Sequence, residues 1–72
     1  MVTVYSKNNC MQCRMTKKFL DDHHVSYKEI NLDLEPEHID TVKQMGFATA
    51  PVIVSPVGNF AGFQPGRLKE LA

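Results

Sequence analysis

The 72-residue chain has no tryptophan, no excess of either charge and no long apolar run. Its eight basic residues balance eight acidic ones, which argues against nucleic acid or an anionic membrane as the main partner. No apolar run approaches the roughly 18 residues that a membrane span needs. The first residues also lack the apolar core and the small-residue cleavage site of a signal peptide. We therefore expect neither a membrane segment nor a signal sequence.

Cysteine is scarce too, with two residues in the whole chain. Small secreted domains usually depend on several disulfides, whereas a bridge between Cys10 and Cys13 would close a loop of only four residues. Such a short loop restricts the unfolded chain very little, so these cysteines are poor structural cross-links. The sequence therefore favours a reducing, cytoplasmic environment.

What the chain does contain is an ordinary globular composition, 43% apolar and 22% charged. This length allows one small domain, and we expect residues 1–72 to form it. β-Branched and aromatic runs predict strands at residues 2–5, 26–32, 51–54 and 60–61. Helical spacing and capping signals predict a helix after the cysteine pair that ends near residues 23–24, a helix from residues 35–36 to residue 46, and a helix from residue 65.

Three side-chain placements follow from these helices. Asn8 or Asn9 is expected to cap the first helix, because asparagine side chains accept hydrogen bonds from free helical N–H groups. Met15, Phe19 and Leu20 fall on one face of that helix, with methionine as a core filler. Gly46 is expected in a left-handed cap at the end of the second helix, with Phe47 packed behind it.

The order of elements, β-α-β-α-β-β-α, sets the fold class. A strand–helix–strand start implies a right-handed crossover and a parallel pair of strands. The final two strands form a hairpin that extends the sheet in antiparallel fashion, with helices on both faces. We therefore predict an α/β fold with a four-stranded mixed sheet flanked by three helices.

The cysteine pair lies where this fold gives it reactivity. Cys10 falls at a helix start, where free N–H groups and the helix dipole stabilise a thiolate. Cys13 lies one turn later on the same side and can reach the first sulfur. Lys7 and Arg14 are close in sequence, which favours Cys10 as the nucleophile and Cys13 as the shielded resolving thiol.

Other roles for the two cysteines stay open. A CxxC sequence can be half of a zinc site, but structural zinc usually needs four ligands. His23, His24 and His38 do not give the spacing of a zinc finger, so no metal is expected. A thiol- or metal-binding module without turnover is the remaining interpretation outside the enzymes.

Three short motifs, at residues 10–13, 49–51 and 60–65, resemble those of the thioredoxin-like superfamily, and within it the glutaredoxin-like NrdH-redoxin family. NrdH-redoxins typically carry C-[VM]-Q-C at the first site and W-S-G-F-R-P-D at the last. The last motif departs from the pattern at Phe60, Ala61, Gln64 and Gly66. The resemblance spans essentially the whole chain and rests on Cys10, Met11, Gln12 and Cys13, on Thr49, Ala50 and Pro51, and on Gly62, Phe63 and Pro65.

The resemblance implies a thioredoxin-like fold and a small electron carrier for deoxyribonucleotide synthesis. Its client would be a class Ib ribonucleotide reductase, and a thioredoxin reductase would recharge its disulfide. No cofactor is expected on the chain, because NADPH and FAD belong to the partner reductase. A monomer with a cis Ala50–Pro51 bond is expected. The implied partner-binding residues are Met11, Gln12, Thr49, Ala50, Pro51, Gly62 and Phe63.

The alternative enzyme is a glutathione-dependent glutaredoxin. Glutaredoxins typically have T-V-P and then a Gly-Gly and Asp-containing stretch that opens the last helix. Thr49 to Pro51 keep the first part, but a bulky Phe63 follows Gly62, and Pro65 removes a backbone donor. Phe63, together with Phe60, is instead expected to present an apolar patch to a protein partner.

Overall fold

The computed structural model describes residues 1–72 and confirms the predicted order of elements. None of its helices has the length and apolar character needed to cross a membrane. A 3₁₀ turn at Pro36–His38 precedes α2, and another at Lys69–Leu71 follows α3. The elements are β1 (Val2–Ser6), α1 (Met11–Asp22), β2 (Tyr27–Asn31), α2 (Ile39–Gln44), β3 (Val52–Ser55), β4 (Gly58–Ala61) and α3 (Pro65–Leu68).

The four strands form one mixed sheet in the order β2-β1-β3-β4. β1 pairs with β2 in parallel, and it pairs with β3 in antiparallel fashion. β4 completes an antiparallel hairpin at the edge. The apolar run of β3 is therefore a central strand, as predicted, and the four-stranded mixed sheet is confirmed.

The sheet has helices on both faces because its strands alternate apolar side chains. Val4 faces one side and Tyr5 the other, and each belongs to a separate core. The first core joins the sheet to α1 and α3 and consists of Val2, Val4, Leu20, Ile53, Phe60 and Leu68. The second core lies under α2 and consists of Tyr5, Ile30, Val42 and Val52.

The buried face of α1 differs from the predicted one. Cys13, Thr16 and Leu20 are its buried side chains, at the i, i+3 and i+7 positions of one helical stripe. Met15 is 42% exposed because it lies beside this stripe, so its expected place as a core filler was wrong. Phe19 is only partly buried against the first core.

The expected asparagine cap of α1 was also wrong. Cys10 itself is the N-cap residue, and its sulfur accepts the backbone N–H of Cys13 at 3.1 Å. Asn8 is engaged elsewhere, because its side-chain oxygen accepts a hydrogen bond from Asn31 at 3.0 Å. Asn9 has a positive φ of 54°, the turn that brings the chain into the helix.

The end of α2 agrees with the sequence. Gly46 has a φ of +90°, in the left-handed region that glycine adopts without a steric penalty. The Phe47 N–H then bonds to the Val42 carbonyl at 3.2 Å, and Phe47 packs against the second core. The start of the helix differs, because Pro36 opens a 3₁₀ turn before the α-helix begins at Ile39.

Candidate active site

The cysteine pair occupies the first turn of α1 and forms a disulfide. The two Cα atoms are 5.2 Å apart, which is within the usual range for a bridged pair. Cys10 caps the helix and Cys13 lies inside it, so both sulfurs are at the positive end of the helix dipole. The hydrogen bond from the Cys13 N–H to the Cys10 sulfur is the kind of contact that stabilises negative charge on a thiolate.

The two sulfurs differ in their access to solvent. Cys10 is 9% exposed and Cys13 only 1%. A partner disulfide can therefore approach Cys10 more easily than Cys13. The order of exposure agrees with the prediction that Cys10 attacks and Cys13 resolves.

A second segment packs against the sulfurs from the start of β3. The Ala50–Pro51 peptide is cis, as predicted, and Pro51 is fully buried. The Ala50 carbonyl oxygen lies 4.0 Å from the Cys10 sulfur. Thr49 is exposed at the rim of this segment. Backbone groups beside a reactive disulfide can pair with an extended partner segment.

A third segment joins the site through backbone hydrogen bonds. The Gly62 N–H donates to the Pro51 carbonyl at 2.8 Å, and the next N–H, that of Phe63, donates to Gln12 Oε1 at 3.0 Å. Gly62 has a φ of +84°, and a β-carbon there would come within 3.4 Å of the same Gln12 oxygen. The side chain of Gln12 therefore fixes the Gly62–Phe63 loop beside the first turn of α1.

A basic hollow of about 220 Å³ lies on one side of the disulfide. Its three cations are Lys7 before the helix and Arg14 and Lys17 on it. The sequence suggested this clustering of charge, and the tertiary structure brings all three side chains to the two cysteines. The complete lining is Lys7, Asn8, Asn9, Cys10, Cys13, Arg14, Lys17 and Asn31.

Behind this hollow is a polar cluster that the sequence did not indicate. Glu29 on β2 accepts hydrogen bonds from the Ser6 hydroxyl at 2.7 Å and from the Lys17 ammonium at 2.9 Å. The Ser6 hydroxyl bond, followed by the Lys17 bond and charge, lowers the pKa of the Glu29 carboxyl, although partial burial opposes the shift. Glu29 is therefore ionised at neutral pH.

An apolar groove of about 220 Å³ lies on another face of α1. Met15, Phe19 and Phe63 are its apolar lining residues, with Lys18 and Asp22 at its edge. Met11, in the first turn of the helix, is 61% exposed. Phe63 is itself partly buried, because its ring also packs against the first core, so only part of it lines this surface, and its expected role in partner binding stays a prediction.

Phe60 is not part of the apolar groove, and its expected place in a surface patch was wrong. It is 4% exposed in the first core, because the β4 pleat turns it inward opposite Ile53. The Arg67 guanidinium lies 5.0 Å from the centre of its ring. Gln64, another departure from the NrdH motif, bonds to the Ala61 carbonyl at 2.7 Å.

One group of side chains has the spacing of metal ligands, and it contains neither cysteine. Glu35, Glu37 and His38 bring one potential ligand atom each within 4.8 Å of one another. His23 is engaged with Phe19, with the two ring centres 4.0 Å apart. Both cysteine sulfurs are bonded to each other. The sulfurs and the imidazoles therefore do not form a common site.

Comparisons with known proteins agree with this geometry. The glutaredoxin family model matches residues 2–58. The glutaredoxin-like protein NrdH of Lactococcus lactis subsp. cremoris (strain MG1363) is 54% identical over 72 residues, which cover all of both chains. NrdH of Escherichia coli (strain K12) is 30% identical over 70 residues, which cover 97% of this chain and 86% of that protein.

Solved structures give the same result for the fold. The structure of NrdH-redoxin from Escherichia coli superposes with a TM-score of 0.93 at 30% identity, covering 99% of this chain and 93% of that one. The thioredoxin-like protein BC3987 superposes over all of both chains with a TM-score of 0.86 at 25% identity. The thioredoxin-like fold is therefore confirmed.

Proposed function

Since the chain belongs to the glutaredoxin family, as a thiol–disulfide oxidoreductase of its NrdH-redoxin group, we propose that it donates electrons to a class Ib ribonucleotide reductase. In this proposal a thioredoxin reductase returns the Cys10–Cys13 disulfide to the dithiol. NADPH and FAD belong to that reductase, and the disulfide is the redox group of this chain. The proposal includes a cytoplasmic location and a monomeric carrier.

The chemistry requires two thiol–disulfide exchanges. The Cys10 thiolate attacks one sulfur of the client disulfide, forming a mixed disulfide and releasing the other client sulfur as a thiolate. Cys13 loses its proton and attacks Cys10, which releases the second client thiolate and closes the Cys10–Cys13 bond. The client gains two electrons and the carrier loses two. A reductase dithiol then reverses the exchange.

The structure at the start of α3 is the observation that favours a thioredoxin reductase over glutathione as the electron donor. Glutathione is an anion that glutaredoxins bind partly through backbone donors at this position. Here the Phe63 N–H is already bonded to Gln12 Oε1, and Pro65 has no N–H to offer. No acidic residue lies in the first turn of α3 to receive the ammonium group. The Phe63 ring instead lines the apolar groove and packs in part against the first core.

The partner surface in this proposal combines backbone and apolar groups. Ala50 and Pro51 flank Cys10 for pairing with an extended segment, with Thr49 and Gly62 at the rim. Met11, exposed in the first turn of α1, and Phe63, in the apolar groove, supply apolar area, with Gln12 holding the loop. The Escherichia coli relative has a thioredoxin-like activity profile, which supports a reductase as donor.

A coupled NADPH oxidation assay tests the proposal. The protein is supplied either with thioredoxin reductase and NADPH, or with glutathione, glutathione reductase and NADPH, and a class Ib ribonucleotide reductase serves as the client. We expect turnover with thioredoxin reductase at least about tenfold faster than with glutathione, because Phe63 and Pro65 remove the anion site. Equal or faster turnover with glutathione would overturn the proposal.

The basic hollow is the observation that favours the second candidate, a glutathione-dependent glutaredoxin. Lys7 and Arg14 line it beside Cys10, and each could pair with a carboxylate of an anionic tripeptide. In that case Lys7→Gln and Arg14→Gln raise the KM for glutathione by a much larger factor than they change turnover with thioredoxin reductase.

A further inference from the structure

Two lysines of α1 form ion pairs of the same length, one with β2 and one within the helix, and the first lysine borders the cysteines. Lys17 bonds to Glu29 at 2.9 Å, with the two side chains 29% and 35% exposed. Lys18 bonds to Asp22 at 2.9 Å, but these side chains are 75% and 57% exposed and lie at the apolar groove. Lys17 lines the basic hollow together with Cys10 and Cys13.

We propose that Glu29 is a positioning residue that sets the thiolate population of the cysteine pair together with Lys17, by fixing the ammonium in place and offsetting part of its charge. The ammonium group of Lys17, one helical turn after Cys13, favours a thiolate at the sulfurs. The Glu29 carboxylate holds this ammonium in place and cancels part of its field. Glu29 does not contact the sulfurs, so its charge acts on them through space and opposes that of Lys17, while its hydrogen bond fixes where the ammonium lies.

The buried Ser6 hydroxyl gives the carboxylate a fixed position. Ser6 is 1% exposed at the end of β1, and its hydroxyl donates to the same Glu29 oxygen that receives Lys17. Three elements, β1, β2 and α1, therefore meet at one carboxylate oxygen. Because the pair is partly shielded from water, its charges act on the sulfurs more strongly than those of an open surface pair.

The other charges around the sulfurs are Lys7, Arg14 and Asp33. Lys7 and Arg14 line the hollow and form no ion pair, so both act as cations. Asp33, just after β2, accepts the Asn8 N–H at 2.7 Å and lies beside Lys7 in the neighbouring hollow. Glu29 is therefore the carboxylate that is bonded directly to a cation of the basic hollow.

The test uses charge-neutral variants of nearly constant shape in the Cys13→Ser background, where Cys10 is the single thiol. Glu29→Gln keeps an amide oxygen that can accept from both Ser6 and Lys17, so it removes charge but retains an acceptor. Ultraviolet absorbance of the thiolate, recorded across a pH series, gives the pKa of Cys10 in each variant.

We expect shifts of opposite sign from the two partners. Glu29→Gln leaves Lys17 uncompensated and lowers the pKa of Cys10, giving about a two- to fivefold change in thiolate fraction below that pKa. Lys17→Gln leaves Glu29 uncompensated and raises the pKa of Cys10 by a similar factor. The double variant removes both charges and returns close to the parent value.

Lys18→Gln and Asp22→Asn are the matched controls, and they should leave the pKa of Cys10 unchanged. Thermal melts show whether each variant is folded, and a purely structural role would move the melts without opposite pKa shifts. Unchanged or same-sign pKa shifts in folded Glu29→Gln and Lys17→Gln would overturn the inference.

The inference rests on the proposed thiol chemistry, but the titration needs neither a client nor a reductase. The pKa shifts of Cys10 would therefore stand even if the coupled assay showed that thioredoxin reductase is not the electron donor.

Discussion

Two sides of α1, one of which borders the disulfide, differ in what they present to a partner. The basic hollow offers Lys7, Arg14 and Lys17, whereas the apolar groove offers Met15 and Phe63 together with Phe19. Charge near a sulfur changes its thiolate population, and exposed apolar area contributes to protein contacts. The comparison therefore separates residues that control reactivity from residues that control recognition.

One helix supports both sides. Cys13 and Lys17 lie one turn apart on the side of the hollow, and Met15 and Phe19 lie one turn apart on the side of the groove. The buried stripe of α1 anchors it to the sheet between them. Substitutions on each side should therefore change different kinetic properties while sharing one requirement for stability.

Substitution of the cysteines should have the largest effect on turnover, because both sides of α1 serve the chemistry at the two sulfurs. Cys10→Ser removes the nucleophile, and we expect no detectable turnover with a protein disulfide. Cys13→Ser leaves Cys10 able to attack but removes the resolving thiol, so a mixed disulfide should accumulate. Mass spectrometry of the non-reduced reaction detects it. A trapped adduct on Cys13 in the Cys10→Ser variant would reverse the assignment.

Truncation of a buried side chain in the stripe of α1 that packs on the sheet should lower the stability of the whole fold, not the reactivity or recognition of one side alone. Leu20 is fully buried, and Leu20→Ala should lower the free energy of unfolding by about 2–5 kcal/mol. Phe19 is only partly buried, so Phe19→Ala should lose less than the roughly 3–5 kcal/mol typical of a fully buried phenylalanine. Urea melts measure both values. A larger loss for Phe19→Ala than for Leu20→Ala would contradict the described packing.

Phe63→Ala tests the groove as the recognition side. We expect kcat/KM with thioredoxin reductase to fall by about fivefold or more, because a central aromatic contact is lost. Reduction by a small dithiol should stay nearly unchanged, since the sulfurs and the hollow are intact. Leu34→Ala is the control, because Leu34 is 74% exposed outside this groove. Equal losses with both reductants would mean that Phe63 supports the fold.

Neutralising the unpaired cations tests the hollow as the reactivity side. Lys7→Gln and Arg14→Gln should each raise the pKa of Cys10 and slow alkylation at neutral pH by about twofold. Added salt should weaken this difference, because both side chains are exposed. Lys69→Gln, on the turn after α3, is the control. An unchanged alkylation rate would remove these cations from thiolate control.

The smallest expected effect is the acid dependence of stability. The pKa of Glu29 lies below its ordinary value of 4.5 when folded, chiefly because of the Ser6 hydroxyl. The ionised group therefore stabilises the fold above that ordinary value, and this contribution is lost as the pH falls through the folded pKa. Thermal melts from neutral to acidic pH should decline more for the parent than for Glu29→Gln. Parallel declines would mean that Glu29 adds no measurable pH dependence.

Local sequence predicted the framework of the site because its signals act over a few residues. The spacing of Cys10 and Cys13, the apolar run of β3 and the glycine cap at Gly46 each depend on near neighbours. The sequence-based predictions were wrong where a tertiary contact outweighed a local signal. Asn8 has good capping chemistry, but its side chain bonds to Asn31, 23 positions along the chain.

The sequence by itself determined the order of elements, the mixed sheet and the reactive pair at a helix start, since periodicity and helix-end electrostatics are local properties. Only the tertiary structure decided which side chains surround that pair. Glu29 reaches Ser6 across 23 positions because β1 and β2 are neighbours, and Gln12 reaches Phe63 across 51 positions. Contacts over such separations depend on packing between elements, which no short segment of sequence encodes.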